Sequence, residues 1–200
     1  MSIPKIILSL ILFFTVVGIA CADANDNVRP VTVPEKFYGI VINSNINVIL
    51  SQTGENTIMI EKRNGADRTI KATVENGALV INGGDDLGTT LYVTVDYIEL
   101  IEINGKGRLY VNGNIDSDIL LLKVNGSGSM KLDVKTLSLG MIVKGSGKII
   151  VSGNTGKSFL RIYGHGNIYK DQLDYFNCSE ERYLDEIQNQ KKRKGTLKLY

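Results

Sequence analysis

Tryptophan is absent from this chain of 200 residues, histidine occurs once, cysteine twice and proline three times. One histidine and two cysteines assemble neither a zinc cluster nor a disulfide framework, so stability has to come from packing. Scarce proline beside 21 glycines excludes a collagen-like or proline-rich rod and points to many tight backbone corners. Between Phe37 and Ile103 no stretch sustains an apolar period of about 3.6 residues, which argues against amphipathic helices there. A formal net charge of +2 is too small to imply nucleic acid as a partner. The one long apolar run, Ile6 to Ile19, falls short of the about 20 residues of a membrane span.

That run follows Lys5 and precedes the small residues Ala20-Cys21-Ala22. Residues 1–22 therefore read as a signal peptide cut before Asp23. Two other readings stay open, one of them a retained N-terminal anchor. In the other, Ile19-Ala20-Cys21 resembles the end of a bacterial lipobox, with Gly18 where leucine is usual, and Cys21 is then the lipidation site. With Cys21 cleaved off or lipidated, Cys178 has no partner within the chain. Both of these routes place the protein outside the cytoplasm, in the periplasm, on the outer-membrane surface or secreted, with a lipid on Cys21 as the only membrane contact. Residues 23–36 read as a linker.

From Phe37 to Ile103 short alternating runs are broken by turn residues. Tyr38 to Ile42, Ile46 to Leu50, Thr57 to Glu61, Leu91 to Val95 and Ile98 to Ile103 have strand composition. Asn76-Gly77, between Thr69 to Val74 and Leu79 to Ile81, is a strong hairpin signal.

A repeat follows. Four triplets, Gly105-Lys106-Gly107, Gly126-Ser127-Gly128, Gly145-Ser146-Gly147 and Gly164-His165-Gly166, have first glycines 21, 19 and 19 residues apart. Aligning on them aligns the apolar residues. Two positions before each triplet lie Ile103, Val124, Val143 and Ile162; four before lie Ile101, Leu122, Met141 and Leu160. Two after lie Leu109, Met130, Ile149 and Ile168. Four after lie Val111, Leu132 and Val151, and then Lys170 breaks the row. Such rows have the two-residue period of a strand with one face inward. The two extra residues of the first unit fit in the loop Asn112 to Ser117. A unit of about 20 residues cannot bury its own apolar face, whereas stacked units can. The reading is all-β: a right-handed parallel β-solenoid, or β-helix, of roughly 20-residue rungs with an N-terminal β-rich segment that joins or caps it. It spans residues 37–170. A meander or sandwich with similar hairpins is the alternative.

Residues 171–200 change character. Ser179 to Lys194 lacks glycine and runs from acids to bases, which reads as a short helix with Ser179 as its N-cap. Thr196 to Tyr200 alternates like a strand that covers the end of the solenoid.

Several of these residues match a known pattern. Phe37-Tyr38-Gly39-Ile40-Val41-Ile42, Asn47-Val48-Ile49-Leu50-Ser51-Gln52, Glu75-Asn76-Gly77-Ala78-Leu79-Val80-Ile81 and the serial Gly-Ser-Gly triplets together resemble the head GIN domain family of putative auto-transporter adhesins. The resemblance covers about residues 37–170. It implies an exported β-solenoid of bacterial envelopes and brings no catalytic residues to transfer. Lys106 and His165 stand where that pattern has serine, and the charged tail lies outside it.

Motifs for chemistry are sparse. In Gly153-Asn154-Thr155-Gly156-Lys157-Ser158 only two residues separate the glycines, too few for a phosphate-wrapping loop, so a β-corner is the reading. The Gly-x-Gly triplets lack the third glycine and the following helix of a dinucleotide fingerprint. His165 reads as a polar turn residue. Asn125-Gly126-Ser127 and Asn177-Cys178-Ser179 fit a glycosylation sequon, although corner geometry explains the first. No cofactor is implied. β-Helices that cleave polysaccharides need acids gathered on one face; the repeat offers Asp116, Asp118 and Asp133.

Charge is uneven. Residues 23–103 hold 6 bases and 12 acids, residues 104–170 hold 10 bases and 3 acids. Lys123, Lys144, Lys148 and Arg161 recur at outward positions, which predicts a ladder for an anionic glycan or lipid headgroup; the competing reading is that they keep the solenoid soluble and deter edge pairing. The sequence therefore points to a non-catalytic structural or adhesive binding module of the cell envelope. The alternatives are a polysaccharide-active enzyme on the same scaffold and a lipid or headgroup carrier.

Overall fold

The computed structural model describes residues 28–31, 35–62, 70–84 and 88–183. The leader with Cys21 and the segment after Tyr183 lie outside the described residues. The described residues are all β, 79% strand, and coil into a β-solenoid of about four turns. Twelve strands follow in order: β1 (Val28–Val31), β2 (Gly39–Asn43), β3 (Asn47–Gln52), β4 (Thr57–Lys62), β5 (Lys71–Glu75), β6 (Ala78–Asn82), β7 (Thr89–Val95), β8 (Leu100–Gly105), β9 (Arg108–Gly126), β10 (Ser129–Gly145), β11 (Lys148–Gly164) and β12 (Asn167–Tyr183).

Each of the last four strands bends at its middle and serves two faces. The halves that run into a Gly-x-Gly corner stack as one face, in the order β5-β6-β2-β8-β9-β10-β11-β12. The halves that leave the corner stack as the other, in the order β1-β4-β7-β3-β9-β10-β11-β12. We call these the pre-corner and post-corner faces. Side chains that alternate inward from both meet in one core. The column Ile81, Ile42, Ile103, Val124, Val143, Ile162 is in register rung to rung and buried throughout. Burial of each such aliphatic chain contributes roughly 1.5–3 kcal/mol.

The triplet glycines have two different reasons. Gly126 turns the corner at φ +117°, a conformation that strains any residue with a Cβ. Gly147 needs space instead: a Cβ there would lie 2.7 Å from the Gly128 carbonyl oxygen of the rung below. Corner amides bind back onto that rung, as Ser146 N–H donates to Gly126 O at 2.9 Å and Lys148 N–H to Gly128 O at 3.0 Å. The first repeat's two extra residues enter between Tyr110 and Asn114, where β9 and β10 shift register. At the opposite corner Ser117, Thr136 and Thr155 are buried in one column. Thr136 and Thr155 share a 2.8 Å hydrogen bond, and Thr155 Oγ1 donates to Lys157 O at 2.9 Å. This is the corner that Gly153 to Ser158 occupies.

The N-terminal segment does more than cap. β2 and β3 form a full rung inserted beneath β8 and β9, and β6 and β7 form the rung beneath that. The expected Asn76-Gly77 hairpin joins β5 to β6 antiparallel, with Asn76 at φ 52° and Gly77 at φ 75°. Two segments depart from the sequence expectation. Val28–Val31, inside the presumed linker, pairs with β4. Residues 171–183 extend a further rung rather than begin a tail, and no helix starts at Ser179. Parallel pairing with β11 persists to Tyr183. There Arg161 Nε donates to Glu181 at 3.0 Å and the Tyr183 ring stacks on Tyr163 at 4.9 Å, so tertiary pairing overrides helical preference.

Candidate binding faces

The register decides which outward residues meet. On the pre-corner face one outward column is Val80, Val41, Glu102, Lys123, Ile142, Arg161, Glu181, and its neighbour is Asn82, Asn43, Asn104, Asn125, Lys144, Tyr163, Tyr183. Three of the four ladder cations lie here, and each has a partner in place. Lys123 Nζ lies 3.4 Å from Glu102, Arg161 bonds Glu181, and Lys144 Nζ sits 5.7 Å from the centre of the Tyr163 ring. Lys148 lies around the corner on the other face. The four residues thus do not form one ladder. The asparagines do: Asn43 Nδ2 donates to Asn82 Oδ1 at 3.0 Å, Asn104 Nδ2 to Asn43 Oδ1 at 2.8 Å and Asn125 Nδ2 to Asn104 Oδ1 at 2.8 Å. The amide of the first sequon is therefore engaged within the protein.

The post-corner face is different. Its central outward column is Met59, Tyr92, Ile49, Tyr110, Lys131, Ile150, Tyr169. Apart from Lys131 the column is an apolar and aromatic stripe, and it crosses seven strands, about 29 Å at the usual strand spacing. Beside it runs a polar column, Glu61, Thr90, Asn47, Arg108, Ser129, Lys148, Asn167. A groove of about 410 Å³ opens on both columns, lined outwardly by Asn47, Ile49, Thr90, Arg108, Tyr110, Ser129 and Lys131. Small and medium side chains at positions 49, 90 and 129 leave the depression, and Tyr110 and Arg108 rise from it. Tyr92 donates to Glu61 Oε2 at 2.6 Å, which holds the phenol above its ordinary pKa of 10.0, mainly through that hydrogen bond.

The inward rows after each triplet do not reveal this groove, because it lies on the outward rows between them. The same alignment reaches part of it. One and three positions after each triplet lie Arg108, Ser129, Lys148, Asn167 and Tyr110, Lys131, Ile150, Tyr169. Ile49, Thr90 and Tyr92 join through strands out of sequence order, which no repeat alignment shows.

The acids considered for catalysis are engaged or apart. Asp116 pairs with Lys135 at 2.9 Å, Asp133 accepts from Ser152 Oγ at 2.8 Å, and Asp118 is exposed in the segment between. His165 is exposed at its corner. Among the described residues no group of three or more His, Cys, Asp or Glu is arranged to hold a metal ion, and no helix is long and apolar enough to cross a membrane.

A stack of like rungs with extended outward columns defines the class of solenoid repeat proteins, whose surfaces suit long ligands. Within that class the chain belongs to the family described as putative auto-transporter adhesin, head GIN domain, which matches residues 36–180. Solved structures share the fold. A putative lipid binding protein from Parabacteroides distasonis aligns at 17% identity over 79% of each chain, TM-score 0.63. A putative adhesin from the same organism aligns at 15% identity over 78% of this chain and 77% of that one, TM-score 0.60. A putative adhesin from Parabacteroides merdae aligns at 16% identity over 79% and 78%, TM-score 0.56. No curated protein matches. The family and these neighbours carry adhesin or lipid-binding descriptions rather than enzyme ones.

Proposed function

We propose that this chain is a non-catalytic adhesive module of the bacterial cell envelope, which holds an extended ligand along the post-corner face. The observation that carries this reading is the stripe from Met59 to Tyr169, with a groove beside Tyr110. A solvent-facing apolar column on a soluble fold costs solubility, and the rigid sheet beneath it supplies a preorganised surface. The family's adhesin description supports the same reading. The polysaccharide-cleaving alternative finds less support, because Asp116 and Asp133 each serve a structural partner. Export, by cleavage before Asp23 or by lipidation of Cys21, belongs to this reading, and mass spectrometry of the mature N-terminus separates the two routes.

Beads coated with the purified chain test it. They are expected to be retained on surfaces bearing bacterial envelope polysaccharide or host mucin. Replacing Tyr92, Tyr110 and Tyr169 by serine is expected to lower retention by about tenfold, as loss of aromatic anchors does. Retention unaffected by that triple change, or release of new reducing ends from the polysaccharide, would overturn the reading.

A further inference from the structure

We infer that the groove beside Tyr110 takes an acidic saccharide, with the sugar ring on Tyr110 and Ile49 and its anionic substituent between Arg108, Lys131 and Lys148. This rests on the binding-module reading and names the ligand class and the residues that select it.

The cations are brought together by register. Arg108 and Lys148 are the neighbours of Ser129 on the rungs either side, each about 4.8 Å from it along the stack. Lys131 follows Ser129 by two residues on the same strand, about 6.6 Å further, with its side chain on the same side of the sheet. The three positive charges therefore surround one small hydroxyl residue. All three are exposed. None has a carboxylate partner among the described residues, whereas Lys123, Lys135, Arg161 and Lys170 each have one. Arg108 and Lys148 are both diagonal to Lys131, a cross-strand spacing that long side chains still span. These three cations stand together on one face with no carboxylate paired to them among the described residues, and an anion placed among them relieves their mutual repulsion.

The apolar half of the groove indicates what carries the anion. Tyr110 is 49% exposed and Ile49 forms the floor next to it. A flat ring with an aliphatic floor suits the C–H face of a sugar, and the hydroxyl and amide side chains of Thr90, Ser129 and Asn47 at the margin suit its hydroxyls. The groove is open and has a polar border, so an acyl chain laid in it would keep much of its surface in water. The stripe continues past it to Tyr92 on one side and Ile150 and Tyr169 on the other, so a polymer can engage several rungs at once and gain multivalent affinity.

Polygalacturonate and its fully methyl-esterified form have the same backbone and differ in charge. We expect the full chain to bind polygalacturonate in affinity electrophoresis and calorimetry, with binding that weakens as sodium chloride rises. The esterified polymer should bind at least about tenfold more weakly. Changing Arg108, Lys131 and Lys148 together to serine, or Tyr110 to alanine, should each weaken binding about tenfold or more. Changing Lys123, Lys144 and Arg161 to serine on the opposite face should leave it within about twofold. Thermal melts of each variant establish that it is folded, and K131E offers a second, single-site change.

Equal binding of the two polymers, or binding that depends on the opposite face, overturns the acidic-saccharide assignment and leaves the adhesive module standing. Binding to phosphatidylglycerol vesicles in place of the polymer overturns it in favour of a lipid surface. Failure to bind polygalacturonate, alginate and heparin overturns it as well. The module reading itself falls on the bead results: no retention on any surface, retention that the tyrosine replacements leave unaffected, or release of new reducing ends.

Discussion

Among the described residues Ser158 is the buried side chain whose polar atom goes unsatisfied. Its column neighbours are Leu120, Leu139 and Cys178, and its buried Oγ has no hydrogen-bond partner among the described residues. A hydroxyl buried without a partner carries a desolvation penalty of about 1–3 kcal/mol. Ser158→Ala removes the group at little loss of volume, and denaturant unfolding is expected to show about 1 kcal/mol of added stability; a loss of stability would mean that the hydroxyl has a partner after all. Tyr92 offers a residue-scale test of opposite character. Its hydrogen bond to Glu61, then burial and the Glu61 charge, raise the phenol above 10.0. A folded pKa above the unfolded one means that the contribution to stability is complete below about pH 10 and is lost as pH climbs through the raised value. The stability advantage of the native chain over Glu61→Gln should therefore shrink above about pH 10. The difference in 295 nm titration against Tyr92→Phe should show Tyr92 ionising earlier once Glu61 is replaced. A titration that Glu61→Gln leaves unmoved would remove the link.

At the scale of the element, the corner is the unit that the sequence repeats, and its two glycines fail differently when changed. In Gly147→Ala the new methyl would meet Gly128 O at 2.7 Å and would also press on Val124 Cγ1. The first is backbone, which cannot swing aside. Overpacking of this kind costs typically about 1–3 kcal/mol, and urea melts should place Gly147→Ala at the upper end. Ser146→Ala, one residue earlier and exposed, should stay within about 0.5 kcal/mol. Equal effects would mean that the corner tolerates a side chain at both positions. The same corner explains what could be read from sequence. Val124, Val143 and Ile162 share one interior column, as the triplet alignment requires, because equal spacing brings equivalent residues to equivalent heights in the coil. The insertion of β2 and β3 beneath β8 and β9 had no such marker. At that corner Ser44, Asn45 and Ile46 stand where the repeats have Gly-x-Gly, and Asn45 Oδ1 accepts from Lys106 N–H at 3.1 Å, so a side chain accepts where the first glycine's carbonyl does elsewhere. β12 was missed for a related reason. Glu180 and Arg182 occupy the positions of Leu160 and Ile162, and an apolar row that turns charged looks like the end of the repeat although the backbone completes another rung.

That change of character governs the molecule as a whole, because a solenoid has two ends and each exposes a sheet edge. The N-terminal edges are short antiparallel strands, β5 of five residues and β1 of four. β1 carries Pro30, which lacks a donor for a further strand. The other end presents β12, 17 residues long and paired on one side only among the described residues. Its protection lies in its side chains. Lys170, from the post-corner half, reaches Glu180 of the pre-corner half at 4.0 Å, and Arg182 Nη1 donates to Gly166 O at 3.4 Å. These groups extend the interior columns and close the mouth of the core with charge. A second copy stacked there would have to strip water from them, which costs more than the added strand pairing returns. Replacing Glu180 by leucine and Arg182 by valine continues the columns as they run in the rungs below, and leaves an apolar end beside a long edge that is unpaired among the described residues. Size-exclusion chromatography with light scattering should then show end-to-end dimers that grow with concentration, where the native chain stays smaller at the same load. Strict retention of the native size by the double variant, with its melting transition intact, would show that charge at the mouth is not what limits the stack.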